Sequence, residues 1–265
     1  MTRIIVHAGF HKTGTTTVQD FFATNREHIW PHSAIVIQHR IRQPLEMALA
    51  YSTGGGQLAL DEFRFRFSSF LKTLDLGKKR ALFISAENLS GMMPGKNALV
   101  DGYSACPILM KTVSECVKET IDPNPDMTFY FSTREKPAWL RSIWWHNLSK
   151  TRLTDDFAEF TKRLDQNCNL DRTVELVRSA VAPHPVLSTP LEQLTLQQFG
   201  PATPLVDLLD LPSDARNALH NIPPSNVMPS DELVGELLTL NRSSLSKASL
   251  VNQKKALLDR AREIS

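Results

Sequence analysis

Lys12 lies between Gly9 and Gly14 in the run His7-Ala-Gly-Phe-His-Lys-Thr-Gly-Thr-Thr-Thr17. Glycines let a backbone turn tightly, and main-chain amides beside a cation are what a phosphate-like anion requires. The common phosphate loop, G-x-x-x-x-G-K-[ST], sets its lysine directly after the second glycine, where it reaches the β- and γ-phosphates while a hydroxyl holds magnesium. Here Thr15 takes that position and Lys12 precedes Gly14. The amine therefore approaches its ligand from another side, and the loop is expected to hold a phosphate-like group without working as an ATPase does.

A second cluster lies in "FYFSTREKPAWLRSIWWHNLSK", where Ser142 follows Arg134 by eight positions. A strand leading into Arg134 and a helix opened by Pro137 would let both side chains converge on one anion, with Ser142 about a turn into the helix. Arginine suits that task because its planar fork meets a phosphate bidentately. A ligand with two separate anionic ends would explain both clusters together.

Such residues need a scaffold that brings them to one edge. Four apolar, β-branched or aromatic runs read as buried strands: "RIIVHA" from Arg3, "AIVIQ" from Ala34, "ALFIS" from Ala81 and "MTFYFS" from Met127. Helical patterns separate them: Thr15 to Ile29, "DEFRFRFSSFLKTL" from Asp61, and "CPILMKTVSECVKET" from Cys106. The alternation predicts an α/β fold, a P-loop-like central parallel sheet with helices on both faces and ligands at the carboxyl ends of its strands. After Lys150 the pattern turns mostly helical, with one further candidate strand at "PVLST" from Pro185. The reading is a single domain over residues 1–265, with a helical extension from about 230 to 265.

The chain carries 30 Lys+Arg against 28 Asp+Glu, a formal net charge of +2, so no global field favours nucleic acid or an anionic membrane surface. Any anion site must be local. Cys106, Cys116 and Cys168 lack metal-ligand spacing and read as reduced, buried thiols. The first strand follows "MTR" directly and no apolar stretch reaches bilayer length, so the expectation is a cytoplasmic protein with no signal peptide and no transmembrane segment.

On these residues the sequence resembles the PAPS-dependent sulfotransferases. "HKTGTT" followed by "VQ" is similar to their 5′-phosphosulfate loop, above all in bacterial members, and "TREKPAWLRSIWW" is similar to their 3′-phosphate motif. The resemblance covers roughly residues 3 to 30 and 80 to 150. It implies transfer of a sulfuryl group from PAPS to a hydroxyl or amine of a small-molecule, carbohydrate or lipid acceptor, releasing adenosine 3′,5′-diphosphate, with no metal expected. It further implies a cofactor site of His11, Lys12, Thr13, Gly14, Thr15, Thr16 and Thr17 at the 5′ end, with the Thr15 and Thr16 hydroxyls turned to the phosphate. Arg134 and Ser142 would clamp the 3′-phosphate. The basic Arg-Lys-Gly segment of cytosolic animal members is not found in this chain, and the Asn221 to Asn226 loop is the candidate for the remaining nucleotide contacts.

Sulfuryl transfer is an in-line displacement in which positioning and charge stabilisation dominate, as in phosphoryl transfer. By the resemblance, Lys12 stabilises the leaving diphosphate. Glu87, delivered just past the strand "ALFIS", is the first candidate for general base, His11 the second. His146, one turn beyond Ser142, could line the acceptor cleft or be an ordinary histidine. His7 and the Trp144–Trp145 pair read as structural. Two alternatives stand beside this reading: a P-loop kinase or NTPase, which calls for magnesium and a Walker B aspartate at a strand end, and a non-catalytic nucleotide-binding protein on the same scaffold. The acceptor and the oligomeric state are not legible. The segment "AYSTGGGQLALDEF" from Ala50 reads as a lid over the cleft or a plain flexible connector.

Overall fold

The computed structural model describes residues 3–77, 79–96, 102–164, 167–222 and 230–264. Five strands form one sheet: β1 (Arg3–His7), β2 (Ser33–Ile37), β3 (Ala81–Ser85), β4 (Asp126–Thr133) and β5 (Val186–Pro190). Their order is β2-β3-β1-β4-β5, and every pairing is parallel. The fold is thus α/β with a central parallel sheet flanked by helices. Parallel neighbours require crossovers, and helices supply them. In the first half these are α1 (Thr15–Thr24), α2 (Arg26–Ile29), α3 (Arg42–Ala50), α4 (Gly56–Lys72), α5 (Cys106–Thr120) and α6 (Lys136–Lys150). The second half holds α7 (Phe157–Leu164), α8 (Leu170–Ala180), α9 (Leu191–Leu194), α10 (Thr203–Leu209), α11 (Ser213–Asn217), α12 (Asp231–Arg242) and α13 (Lys247–Ile264).

Alternation along β1 divides the core. Ile4 and Val6 point into one cluster with Phe63, Phe67, Val113 and Trp139, and Ile5 points into the other with Phe21, Phe22, Tyr130 and Leu205. Successive strand residues face opposite sides, so a strand covered on both faces must be apolar throughout, as "IIV" is. Cys106, Cys116 and Cys168 are all buried.

Two elements differ from their sequence reading. The helical pattern from Thr15 to Ile29 breaks at Asn25, whose side chain bonds the main chain of Phe21 and His220 and so closes α1. At the triple-glycine segment, read as a lid or a connector, α3 and α4 meet at a tight π-type corner, Tyr51–Gly55. The Ser52 and Thr53 hydroxyls donate to Leu49 O at 2.8 and 3.0 Å, continuing the helix until Gly54 takes φ +96°. The corner is anchored, since Met92 N donates to Ser52 Oγ at 2.9 Å.

Register sets the height of the functional edge. His7 ends β1 level with Ser85 on β3 and Tyr130 on β4, while β4 continues to Thr133. Those three extra residues lift the chain by roughly 10 Å at the rise of a strand, so Arg134 stands beside the loop above β1 rather than beneath it. The order reverses at β1, between β3 and β4, and open parallel sheets bind ligands at such a point.

Behind α6 lie the C-terminal helices. Asn241 Nδ2 donates to Leu148 O and Leu153 O at 3.0 and 2.8 Å. Lys254 Nζ donates to Leu148 O, Thr151 O and Asn241 Oδ1 at 2.5, 2.6 and 2.9 Å. The last carbonyls of a helix have no intrahelical donor, and here a buried lysine from α13 supplies one. Among the described residues no helix is long and apolar enough to cross a membrane.

Candidate functional site

The loop after β1 closes on itself through side chains. Thr13 Oγ1 donates to Phe10 O at 2.7 Å and meets Ser132 Oγ on β4 at 3.0 Å, and Thr15 Oγ1 donates to Phe10 O at 3.2 Å. Both threonines are buried. Thr15, expected to turn its hydroxyl toward the anion, turns it inward because Gly9 leaves the space: a Cβ on Gly9 would stand 2.7 Å from Thr15 Oγ1. Gly14, at φ +95°, caps α1 with no side-chain acceptor for the amides that follow. The first amides of a helix lack intrahelical acceptors and carry the positive end of its dipole. The amides of Thr15, Thr16 and Thr17, with the exposed Thr16 hydroxyl and the half-buried Thr17 hydroxyl, are thus the groups left to meet an anion.

Lys12 is one of two non-glycine residues with positive φ among the described residues, at +67°. A side chain in that region costs about 1–2 kcal/mol, and three contacts around it hold the loop in place. Trp139 Nε1 donates to His11 O at 2.9 Å, Arg134 Nη1 donates to Lys12 O at 3.2 Å, and Ser90 Oγ donates to Gly9 O at 2.6 Å.

His11 is locked. Its main-chain N donates to Tyr103 Oη at 3.0 Å, while its ring Nδ1 meets the same Oη at 2.9 Å and Nε2 meets Asn88 Oδ1 at 3.1 Å. A phenol that accepts from the amide can donate to Nδ1, leaving the Nε2 proton for Asn88, a consistent neutral tautomer. Burial, with Lys96 and Lys12 nearby, drives its pKa down to about 4. With both ring nitrogens engaged, His11 is a poor proton acceptor.

Glu87 opens a single 3-10 turn, Glu87–Ser90, directly after β3. Burial raises its pKa, and the opposing pull of Lys12 is the smaller effect. Burial likewise lowers the pKa of Lys12, Glu87 pulling it up and Arg134 pushing it down. Each group is held toward its neutral form by desolvation and partly restored by the other. Lys12, Glu87 and Arg134 therefore share one electrostatic neighbourhood, as their places at the ends of β1, β3 and β4 require.

No family model, curated protein or solved structure matches the chain.

The remaining expected residues occupy α6. Ser142 is its seventh residue, nearly two turns in rather than one, and is half-buried. Trp139, Ser142 and His146 fall at i, i+3 and i+7, so the face that carries the indole to His11 also carries the other two. His146 is half-buried, and burial together with Lys12, His11 and Lys96 brings its pKa to about 4. It stands near the loop as a neutral imidazole. Trp144 belongs to the core, its Nε1 donating to Asp155 O at 3.0 Å, and His7 is fully buried with Nδ1 2.9 Å from Ser85 Oγ.

Tyr103, Asn88, Ser132 and Glu192 were not singled out from the sequence. Asn88 was within reach, being next to Glu87, whereas Tyr103, Ser132 and Glu192 come from segments whose arrival at the loop only the fold decides. Residues 223–226 of the Asn221 to Asn226 candidate lie outside the described residues. A groove of about 710 Å³ opens between α12 and α13, lined by Glu232, Glu236 and Arg260 among others. It contains none of the loop or strand-end residues, and chemistry is better sought where the cations and the uncapped amides meet.

Proposed function

We propose that this protein is a PAPS-dependent sulfotransferase, moving a sulfuryl group to a hydroxyl or amine of a small-molecule, carbohydrate or lipid acceptor in the cytoplasm. The observation that carries the reading is the 3.2 Å bond from Arg134 Nη1 to Lys12 O, which joins the two sulfotransferase-like motifs, 122 residues apart, into one site.

The residues present fit the donor. The amides of Thr15 to Thr17 and the Thr16 hydroxyl would hold the 5′-phosphate, and the free edge of Arg134, with Ser142, the 3′-phosphate. When bound, the donor supplies an activated sulfuryl group on a phosphate leaving group. Glu87 accepts the acceptor's proton as its oxygen or nitrogen bonds to sulfur and the bond from sulfur to the phosphate oxygen breaks. Lys12 stabilises the charge that develops on that oxygen. An anion beside Lys12 favours its charged form against the burial that opposes it. Glu87 is the preferred base over His11 because, among the described residues, its carboxylate makes no hydrogen bonds comparable to those of the His11 ring with Tyr103 and Asn88.

Thermal melting with adenosine 3′,5′-diphosphate, and separately with magnesium-ATP, each with and without EDTA, tests the reading. A ligand at 100 times its dissociation constant stabilises the folded state by about 2.7 kcal/mol. The expected outcome is a rise with the 3′,5′-diphosphate that survives EDTA and is lost in Arg134→Ala. A rise with magnesium-ATP alone would make this a kinase or NTPase instead.

A further inference from the structure

Three basic side chains beside the loop lie outside both sulfotransferase-like motifs: Lys96, His146 and Lys150. The turn Met93–Lys96 rests on α6, since Asn147 Nδ2 donates to Pro94 O at 3.2 Å and a Cβ added to Gly95 would stand 3.3 Å from the same nitrogen. Lys96 N closes that turn on Met93 O at 3.4 Å, and its side chain is exposed. Lys150, also exposed, follows His146 by one helical turn on the same face of α6. The charges agree with this placement. Burial lowers the pKa of His146 to about 4, and Lys12, His11, Lys96 and Lys150 all push in the same direction. Lys96 acts on His11 as well.

These groups are reachable and unsatisfied. Among the described residues neither lysine makes an ion pair and the His146 ring makes no hydrogen bond. Glu87, the carboxylate of this neighbourhood, exerts its pull on Lys12. Like charges gathered around a half-buried neutral imidazole repel a further cation and favour an anion set among them. A neutral imidazole can also donate one N–H to such an anion. The anionic ends of the donor already have partners in the amides of Thr15 to Thr17 and in Arg134 with Ser142. An anion at Lys96 and Lys150 therefore belongs to the other substrate.

We propose that Lys96 and Lys150, beside His146, bind an anionic group of the acceptor, a carboxylate or a sulfate ester, so that the acceptor is a hydroxyl compound carrying a negative charge. Assigning the site to the acceptor rests on the donor reading above. An acceptor amine, protonated near neutral pH, meets the same field as repulsion.

Sulfate and acetate titrated separately at pH 7 into protein saturated with adenosine 3′,5′-diphosphate test it, with the ring-proton resonance of His146 followed by nuclear magnetic resonance and assigned through His146→Gln. The expected result is a saturable change with the nucleotide still bound, and the tighter of the two anions tells a sulfate ester from a carboxylate. Lys96→Gln and Lys150→Gln should each weaken it by about threefold to tenfold, the range for a charged hydrogen bond at an exposed side chain. Lys96→Arg should keep it. Both lysines are exposed, so these variants should fold. The absence of a saturable change with either anion overturns the proposal, as does a response indifferent to both glutamine substitutions. So does a response that the nucleotide abolishes, because the anion was then in the donor loop. Protein that binds no nucleotide overturns the donor reading instead, and the same titration of the free protein still reads the two lysines.

Discussion

The indole Nε1 of Trp139 donates to the main-chain oxygen of His11 at 2.9 Å, tying the first turn of α6 to the loop that follows β1. The loop residue most exposed to strain, Lys12, is the next in the chain, and Ser142 and His146 continue along the same helical face. Trp139→Phe keeps most of the buried ring but leaves His11 O without its donor, at a cost of about 1–3 kcal/mol. Melting and titration of adenosine 3′,5′-diphosphate should both show the loss. An unchanged affinity would mean that α6 is held against the loop by packing alone.

Lys12 at φ +67° separates the effect of its side chain from that of its backbone. Lys12→Gly and Lys12→Ala both remove the amine and should both abolish sulfuryl transfer. Glycine adopts positive φ freely while alanine does not, so the glycine protein should be the more stable by about 1 kcal/mol. Chemical denaturation of the two variants side by side measures the difference, and equal stabilities would show that the loop relaxes out of this conformation when the amine is gone.

Glu87 has its pKa raised by burial even after the attraction of Lys12 is included, so the folded protein disfavours its charged form. The sign follows: a carboxyl raised above its ordinary value of 4.5 adds stability below that value and loses it as pH rises through the folded pKa. Glu87→Gln should therefore melt higher than wild type at pH 7, with the gain vanishing below about pH 4.5. Loss of the general base should at the same time lower turnover by about a hundredfold or more. A variant that is both less stable and fully active would remove Glu87 from the mechanism.

Lys254 satisfies three acceptors at the end of α6 and on α12. Lys254→Met fills much of the same volume but leaves Leu148 O, Thr151 O and Asn241 Oδ1 without that donor. The expected loss is about 3 kcal/mol, the scale for breaking a buried charged hydrogen-bonded group. Denaturant unfolding followed by far-ultraviolet dichroism would read it, and a loss below about 0.5 kcal/mol, the range of ordinary surface substitutions, would show that apolar contacts hold the C-terminal helices in place.

Much of the fold was legible in local pattern. Each of the four apolar runs became a strand of the one sheet, because a strand buried on both faces must be apolar along its length, and the further candidate at Pro185 became the half-exposed edge strand β5. The α3–α4 corner was not legible. Three glycines suggest a lid or a connector, whereas the structure has a tight corner there, with hydroxyl-to-carbonyl bonds from Ser52 and Thr53 and a contact from Met92 that only the fold supplies.

By itself the sequence determined that a strand, a glycine-bounded loop with Lys12 and a helix follow one another, and that Arg134 follows another strand. Those are properties of consecutive residues, set by hydrophobic period and by glycine. Tertiary structure alone decided that Arg134 meets the carbonyl of Lys12, that Tyr103 and Asn88 bond both ring nitrogens of His11, and that Glu192 faces Arg134. These depend on strand order and on the three residues by which β4 outruns β1, and no local pattern encodes which distant segments a parallel sheet will bring to the same edge.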